Sequence, residues 1–342
     1  MDEEEMIYQT QLKELEEFES EITNELTNIL SELADITETF CRICAYPRGA
    51  YNVENNAHFG SNDVCYNMFF DDFDFYALTK STKTLRAILF INQEHNYNFN
   101  EDTFILIRSI FENYLFSRYY DNQEDSKQLF KDFLSNPLEL MIGNLYILNK
   151  SIVKRQDNKQ VGKIITGPKD FLLGLDSTYY SMFYSFLCSF SHCNFSNISS
   201  YIHEYIFTLN KNIYRIESLL FTLFTFTKLL EEIITVDGES FIDDSNEKHF
   251  YDLVYDSLQI QHKIFSYLIT KYSYPQTEEP IIYLYLKANN SDPSNYNSRH
   301  KQFKKMLIKM KNSLKDNIGD LDKSKFDETT NTYIRSYPVN DN

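Results

Sequence analysis

The sequence predicts an all-α protein, a multi-helix bundle that begins with a long heptad-patterned helix. Three observations predict it. Of 342 residues only 8 are Gly and 7 are Pro, too few turn-formers for a many-stranded sheet. Hydrophobic residues make up 42% and charged residues 24%, which suits a packed globule rather than a disordered chain. Apolar residues also recur at three- and four-residue steps through most of the chain, the period of a helix face. There is no Trp, so 28 Phe and 26 Tyr carry the large side chains.

The pattern divides the chain into residues 1–46, a long acidic helix; 47–75, an irregular segment; 76–275, a helical core; and 276–342, a basic helix with a polar tail. In the first segment Leu15, Ile22, Leu26, Ile29, Leu33, Ile36, Phe40 and Ile43 form a heptad seam with acids at the outer positions. Such a seam either lies along its own domain or pairs with a second copy of the chain, giving a homodimer. Pro47, Gly49 and Gly60 should end that helix. Helical periodicity resumes over 77–95 and 102–120, a further segment follows Gln123, and Pro137 should open the next helix in its first turn. The stretch after Lys150, with Gly162 and Gly167-Pro168, reads as a loop. Helices are expected over 177–191, then from a cap at Asn194 or Ser196 through Tyr205, over 211–235, 246–272 and 299–316. Residues 280–287, PIIYLYLK, alternate weakly, as a short strand would.

Charge is unevenly spread. The net charge is −17, but thirteen acids against the single Lys13 fall between Asp2 and Glu38, which leaves only about −5 for the rest. Residues 149–170 carry six Lys or Arg against two Asp, and residues 299–315 carry seven and no acid. Lys154, Arg155, Lys304 and Lys305 are therefore the candidate contacts to RNA or another polyanion. The helix at 299–315 interleaves its lysines with Phe303, Met306, Leu307, Met310 and Leu314. It could instead dock by that stripe, or pair with the acidic first helix. No apolar run approaches the roughly 18 residues of a membrane span, so no membrane partner is expected. MDEEEM is acidic where a signal peptide is basic, and five unevenly spaced Cys suit a reducing compartment, so the expected location is cytoplasmic.

Three groups of residues carry candidate chemistry. Cys41, Cys44, His58 and Cys65 have the types that tetrahedral zinc needs, but His58 and Cys65 are not a tight ligand pair and both early Cys sit beside the seam. No metal or other cofactor is assigned on that basis, and no Gly-rich phosphate loop or nucleophile elbow stands out. Arg108 and Glu112 share one face of an otherwise apolar helix, TFILIRSIFENYLFSRYY. A pair flanked by Ile105, Ile107, Ile110 and Phe111 must be paired and hydrogen-bonded if it turns inward, and His192 is the candidate third member. His192 itself follows Ser191 in the aromatic run YSFLCSFSHCNFSNISSYIHEY, where His203 lies eleven residues on.

Arg108-Ser-Ile-Phe-Glu112 on one helix, with Tyr184 and Leu187-Cys188-Ser189-Phe190-Ser191-His192 on a later one, resembles an uncharacterised all-helical bacterial family grouped with the HEPN-like proteins. The resemblance spans roughly residues 75–235. It implies a helical bundle, often dimeric, and an effector of a bacterial defence or toxin system that acts as a metal-independent endoribonuclease. The hallmark of those nucleases is Arg, four residues, then His. Here the position five before His192 is Leu187, so an arginine would have to come from Arg108 on the neighbouring helix. Imidazole titrates near neutrality and can serve a ribose 2′-hydroxyl as general base, while arginine stabilises charge on the phosphate. The competing reading is a non-catalytic interaction or scaffold protein in which Arg108, Glu112 and His192 form a structural polar cluster.

Overall fold

The computed structural model describes residues 3–55, 73–93, 98–122, 127–149, 151–163, 168–173, 177–192, 195–203, 206–209, 214–235, 244–273, 287–290 and 294–321. Among these, eight α-helices dominate: α1 (Glu3–Asn55), α2 (Phe73–Asn92), α3 (Asn100–Asn122), α4 (Lys127–Met141), α5 (Ser177–Phe190), α6 (Arg215–Thr235), α7 (Asp244–Lys271) and α8 (Ser294–Leu321). The all-α bundle is what the sequence predicts. No described helix is long and apolar enough to cross a membrane.

The centre is α6. Every residue from Ile216 to Leu230 is buried: Ile, Leu and Phe are spread around the helix, and the polar residues among them, Glu217, Ser218, three Thr and Lys228, are buried with them. Its hydroxyls are satisfied within the helix: Thr222 donates to the Ser218 carbonyl at 2.7 Å, and Thr225 to Phe221 at 2.7 Å. Gln261 of α7 donates to Thr227 Oγ1 at 3.1 Å. Lys228, also buried, reaches Glu231 at 3.6 Å and the Ser313 carbonyl of α8 at 3.3 Å, so its charge is paired.

Around α6 pack α1, α2, α3 and α7, with α5 laid on α3 and α8 on α5 and α7. The heptad seam is consumed in this packing. Ile22, Leu26 and Leu33 are buried, Ile29 and Ile36 half-buried, all against the same core cluster that extends to Leu314. Thus the seam lies along its own domain over these positions. Two cross-links fix α1: Glu19 accepts from Tyr267 at 2.7 Å and Lys271 at 3.0 Å, and Arg86 of α2 donates to Glu38 at 2.9 Å. The stripe on α8 docks as well, with Met306, Leu307, Met310 and Leu314 buried and Phe303 against Phe186, Phe221 and Tyr272.

Four expectations change. The first helix runs past Pro47 and Gly49 to Asn55, since these residues make helix costlier without necessarily ending it. Pro137 does not open a helix but sits within α4, which ends at Met141, just before Gly143. There Gly143 takes φ +82° and the Asn144 N–H reaches the Glu139 carbonyl at 3.0 Å, a glycine-terminated helix end. The stretch after Lys150 is no loop. It belongs to an antiparallel sheet of β1 (Leu145–Leu148), β2 (Ser151–Lys154) and β3 (Gln160–Lys163), whose turns use left-handed Asn149 and Asn158. Lastly, no α-helix follows Asn194. Residues Phe195–Tyr201 form a 3₁₀ helix, and β4 (Ile202–His203) pairs with β5 (Ile206–Phe207). Hydroxyl and amide side chains there compete with the helical ladder: Asn197 donates to the Ser189 carbonyl. Residues 281–286, the bulk of the expected strand, lie outside the described residues.

Candidate functional site

The site lies where α5 runs antiparallel to α3. Aromatic contacts set the register: Phe104 meets Phe190 at 4.6 Å between ring centroids and Phe186 at 5.1 Å, and Phe111 meets Phe183 at 5.0 Å. This apolar interdigitation excludes water and fixes which polar side chains can face one another.

Arg108 and Glu112 are joined as the sequence predicts, Nε to Oε1 at 2.9 Å, one turn apart on α3. Their side chains keep 31% and 24% of their exposure, so the pair is half-buried at the edge of the helix interface rather than in the core. From α5, the Tyr184 hydroxyl donates to the same Oε1 at 3.0 Å, and its ring lies 5.2 Å from the Arg108 guanidinium carbon. Arg108 Nη1 approaches Ser191 Oγ at 3.5 Å. His192, the next residue, is exposed.

Electrostatics follow from this arrangement. Burial opposes the Arg108 charge, but the adjacent Glu112 outweighs it and the guanidinium is held even more firmly protonated than usual. Burial, then the Glu112 charge, pushes the Tyr184 hydroxyl well above the usual phenol range, so it remains a donor. The same two helices carry a second polar contact deeper in. Tyr114 and Tyr180 share a hydrogen bond, Arg118 donates to the Tyr114 hydroxyl at 2.9 Å, and burial pushes Tyr114 up to about 12.

Of the other sequence candidates, Lys154 and Arg155 are exposed at the end of β2, remote in sequence from the cluster. Arg155 is partly engaged, donating to the Gly143 carbonyl at 2.8 Å and lying over the Tyr146 ring. On α8, Lys305 is exposed and Lys304 half-buried. His203 falls on β4. Cys41 is half-buried, its thiol pushed up by burial. Cys44 lies in α1, while His58 and Cys65 lie outside the described residues. Among the described residues, no group of three His, Cys, Asp or Glu could hold a metal ion.

Sequence reasoning missed Ser191 as a contact and gave Tyr184 no role beyond the motif. The signal was present: Tyr180, Tyr184, Cys188 and Ser191 step by four, four and three, so they continue one side of α5 to the residue just past its end. The chain matches no protein-family model, no curated protein and no solved structure.

Proposed function

We propose that this chain is a HEPN-like effector of a bacterial defence or toxin system that cleaves RNA without a metal ion, using His192 and Arg108. One observation carries the reading: Arg108 Nη1 lies 3.5 Å from Ser191 Oγ, so an arginine from α3 stands beside the residue preceding an exposed histidine. It takes the part that Leu187 cannot. In this reading the His192 imidazole removes the proton of a ribose 2′-hydroxyl. The 2′-oxygen then attacks the adjacent phosphorus, and the bond to the 5′-oxygen breaks as that oxygen takes up a proton. The products are a 2′,3′-cyclic phosphate and a 5′-hydroxyl. Arg108 offsets charge on the phosphoryl oxygens, while Glu112 and Tyr184 hold the guanidinium in place. Lys154, Arg155, Lys304 and Lys305 contribute non-specific attraction to the RNA backbone.

A second reading, the non-catalytic helical scaffold, is favoured by the 2.9 Å pairing of Glu112 with Arg108, which already neutralises the cation. Incubation of the purified chain with labelled single-stranded RNA in EDTA separates the two. The effector reading expects cleavage ending in cyclic phosphate, abolished by 2′-deoxy substitution of the RNA. Intact RNA with wild-type protein, across structured and unstructured substrates, leaves the scaffold.

A further inference from the structure

The chain between α5 and α6 lies against the N-terminus of α3. Its 3₁₀ helix is tied to α5 by Asn197, which donates to the Ser189 carbonyl. Beyond the β4–β5 pair, the Leu209 carbonyl accepts from the Asn98 N–H at 3.4 Å, just before α3 begins. Ile202 of β4 is buried, but it stands outside the core cluster that holds the helices together. Ile206, Phe207 and Leu209 are 70%, 77% and 68% exposed. A segment that buries so little apolar surface opens at lower cost than the helices beneath it. Helix α3 is fixed by contrast, with Phe104, Ile107, Ile110 and Phe111 all buried in the core.

Glu101 stands in the first turn of α3, at this contact. It is 5% exposed, and its Oε2 is buried with no hydrogen-bond partner among the described residues. Ser200 of the 3₁₀ helix is 3% exposed, and its Oγ is likewise buried without one. A first-turn carboxylate ordinarily gains from the helix dipole. Here burial outweighs both that gain and a hydrogen bond from the residue's own N–H, and with the Asp102 charge it raises Glu101 from the ordinary 4.5 to about 7. Two titratable groups face it. Asp102 is exposed on α3, and the Tyr201 phenol comes from the covering segment, itself pushed up by burial and then by Glu101 and Asp102. From α6, Tyr214 packs on Phe104 and Arg215 is exposed. Among the described residues no cation offsets the Glu101 charge.

We propose that Glu101 is a pH-sensitive latch: the 3₁₀ helix and the β4–β5 pair lift from α3 as its carboxyl loses a proton, so that the charge meets water. An ionised Glu101 can regain solvation in two ways. Moving α3 would unpack the core, whereas lifting the segment uncovers Ile202 and also frees the Ser200 hydroxyl to water. The second costs less, so the opening is local. Between pH 4.5 and about 7 the open form has released a proton that the closed form keeps, so opening gains by about tenfold per pH unit and levels off above that window. Because Asn197 ties the same 3₁₀ helix to the last turn of α5, opening also loosens the chain next to Ser191 and His192. The latch does not depend on the ribonuclease reading.

Hydrogen exchange of the full chain, read over residues 195–209 and over α6 at pH 5 and pH 8, tests it. Glu101→Gln cannot ionise, and measuring it beside wild type at each pH cancels the intrinsic pH dependence of exchange. At pH 5 the two should exchange within about fivefold of each other over residues 195–209. At pH 8 wild type should exchange faster there by roughly ten- to a few hundredfold, with a far smaller difference over α6. Equal exchange at pH 8 would overturn the latch, because ionisation then opens nothing. So would an increase as large over α6, which is global unfolding. If Glu101→Gln does not fold, wild type alone decides. The ratio of exchange over residues 195–209 to that over the exposed β2–β3 turn should climb from pH 5 and level off above about pH 7. A ratio that stays flat across this range overturns the proposal.

Discussion

Tyr184 and Glu112 stand on different helices, yet the phenol donates to the carboxylate at 3.0 Å, across the α3–α5 interface. The same oxygen accepts from Arg108. Glu112 is therefore the hub that ties α5 to α3 and aims the guanidinium. Tyr184→Phe keeps the ring and removes the donor, and should cost about 1 kcal/mol of unfolding free energy, since the group is partly exposed. Glu112→Ala should cost more, because Arg108 and Tyr184 both lose their partner. Urea unfolding of the two variants checks the order. Equal and negligible losses would mean the hub is ornamental.

The first helix gives a second expectation. Leu26 is fully buried against the core, so Leu26→Ala should destabilise the fold by about 2–5 kcal/mol without altering the association state. A coiled-coil seam would behave oppositely, losing association first. Thermal unfolding followed over a range of concentrations separates the two outcomes.

Glu101 predicts a pH dependence. Burial raises its pKa to about 7 from the ordinary 4.5, with the neighbouring Asp102 acting in the same direction. Between those values the folded chain keeps a proton that the unfolded chain has released, so stability falls as pH rises through the window. Below it both states are protonated and the penalty disappears. Above it both are ionised and the penalty is complete. Glu101→Gln should therefore match wild type near pH 4.5 and exceed it at pH 8 by roughly 1–3 kcal/mol. Chemical unfolding at the two pH values measures this. A variant no more stable than wild type at pH 8 would contradict the burial argument.

The helices were readable where one physical rule governs. The dense apolar run of α6 marked it as core, and the 3–4 spacing through Ile22, Leu26, Ile29 and Leu33 marked an apolar stripe, although whether that stripe packs within the domain or against a second copy was not legible. Arg108 and Glu112 were legible for a similar reason, four residues being one helical turn. What escaped was settled by contacts between elements or by short-range turn chemistry. The β1–β3 sheet has four-residue strands, too brief for alternation to stand out, and its decisive residues are left-handed Asn149 and Asn158. Ser191 meets Arg108 only because Phe104 and Phe190 set the register of α5 on α3, a tertiary fact that no local pattern carries.

The central claim concerns His192, and its exposure makes the decisive measurement clean. Its replacement removes no core packing, so His192→Ala should unfold at the wild-type temperature, within a degree or two, for a surface change of under roughly 0.5 kcal/mol. Cleavage of labelled RNA in EDTA, measured on wild type and this variant side by side, then reads chemistry alone. The account predicts that wild type cleaves and that the folded variant loses at least about a hundredfold in rate, the scale of a missing general base. Undiminished cleavage by a folded His192→Ala protein would contradict it.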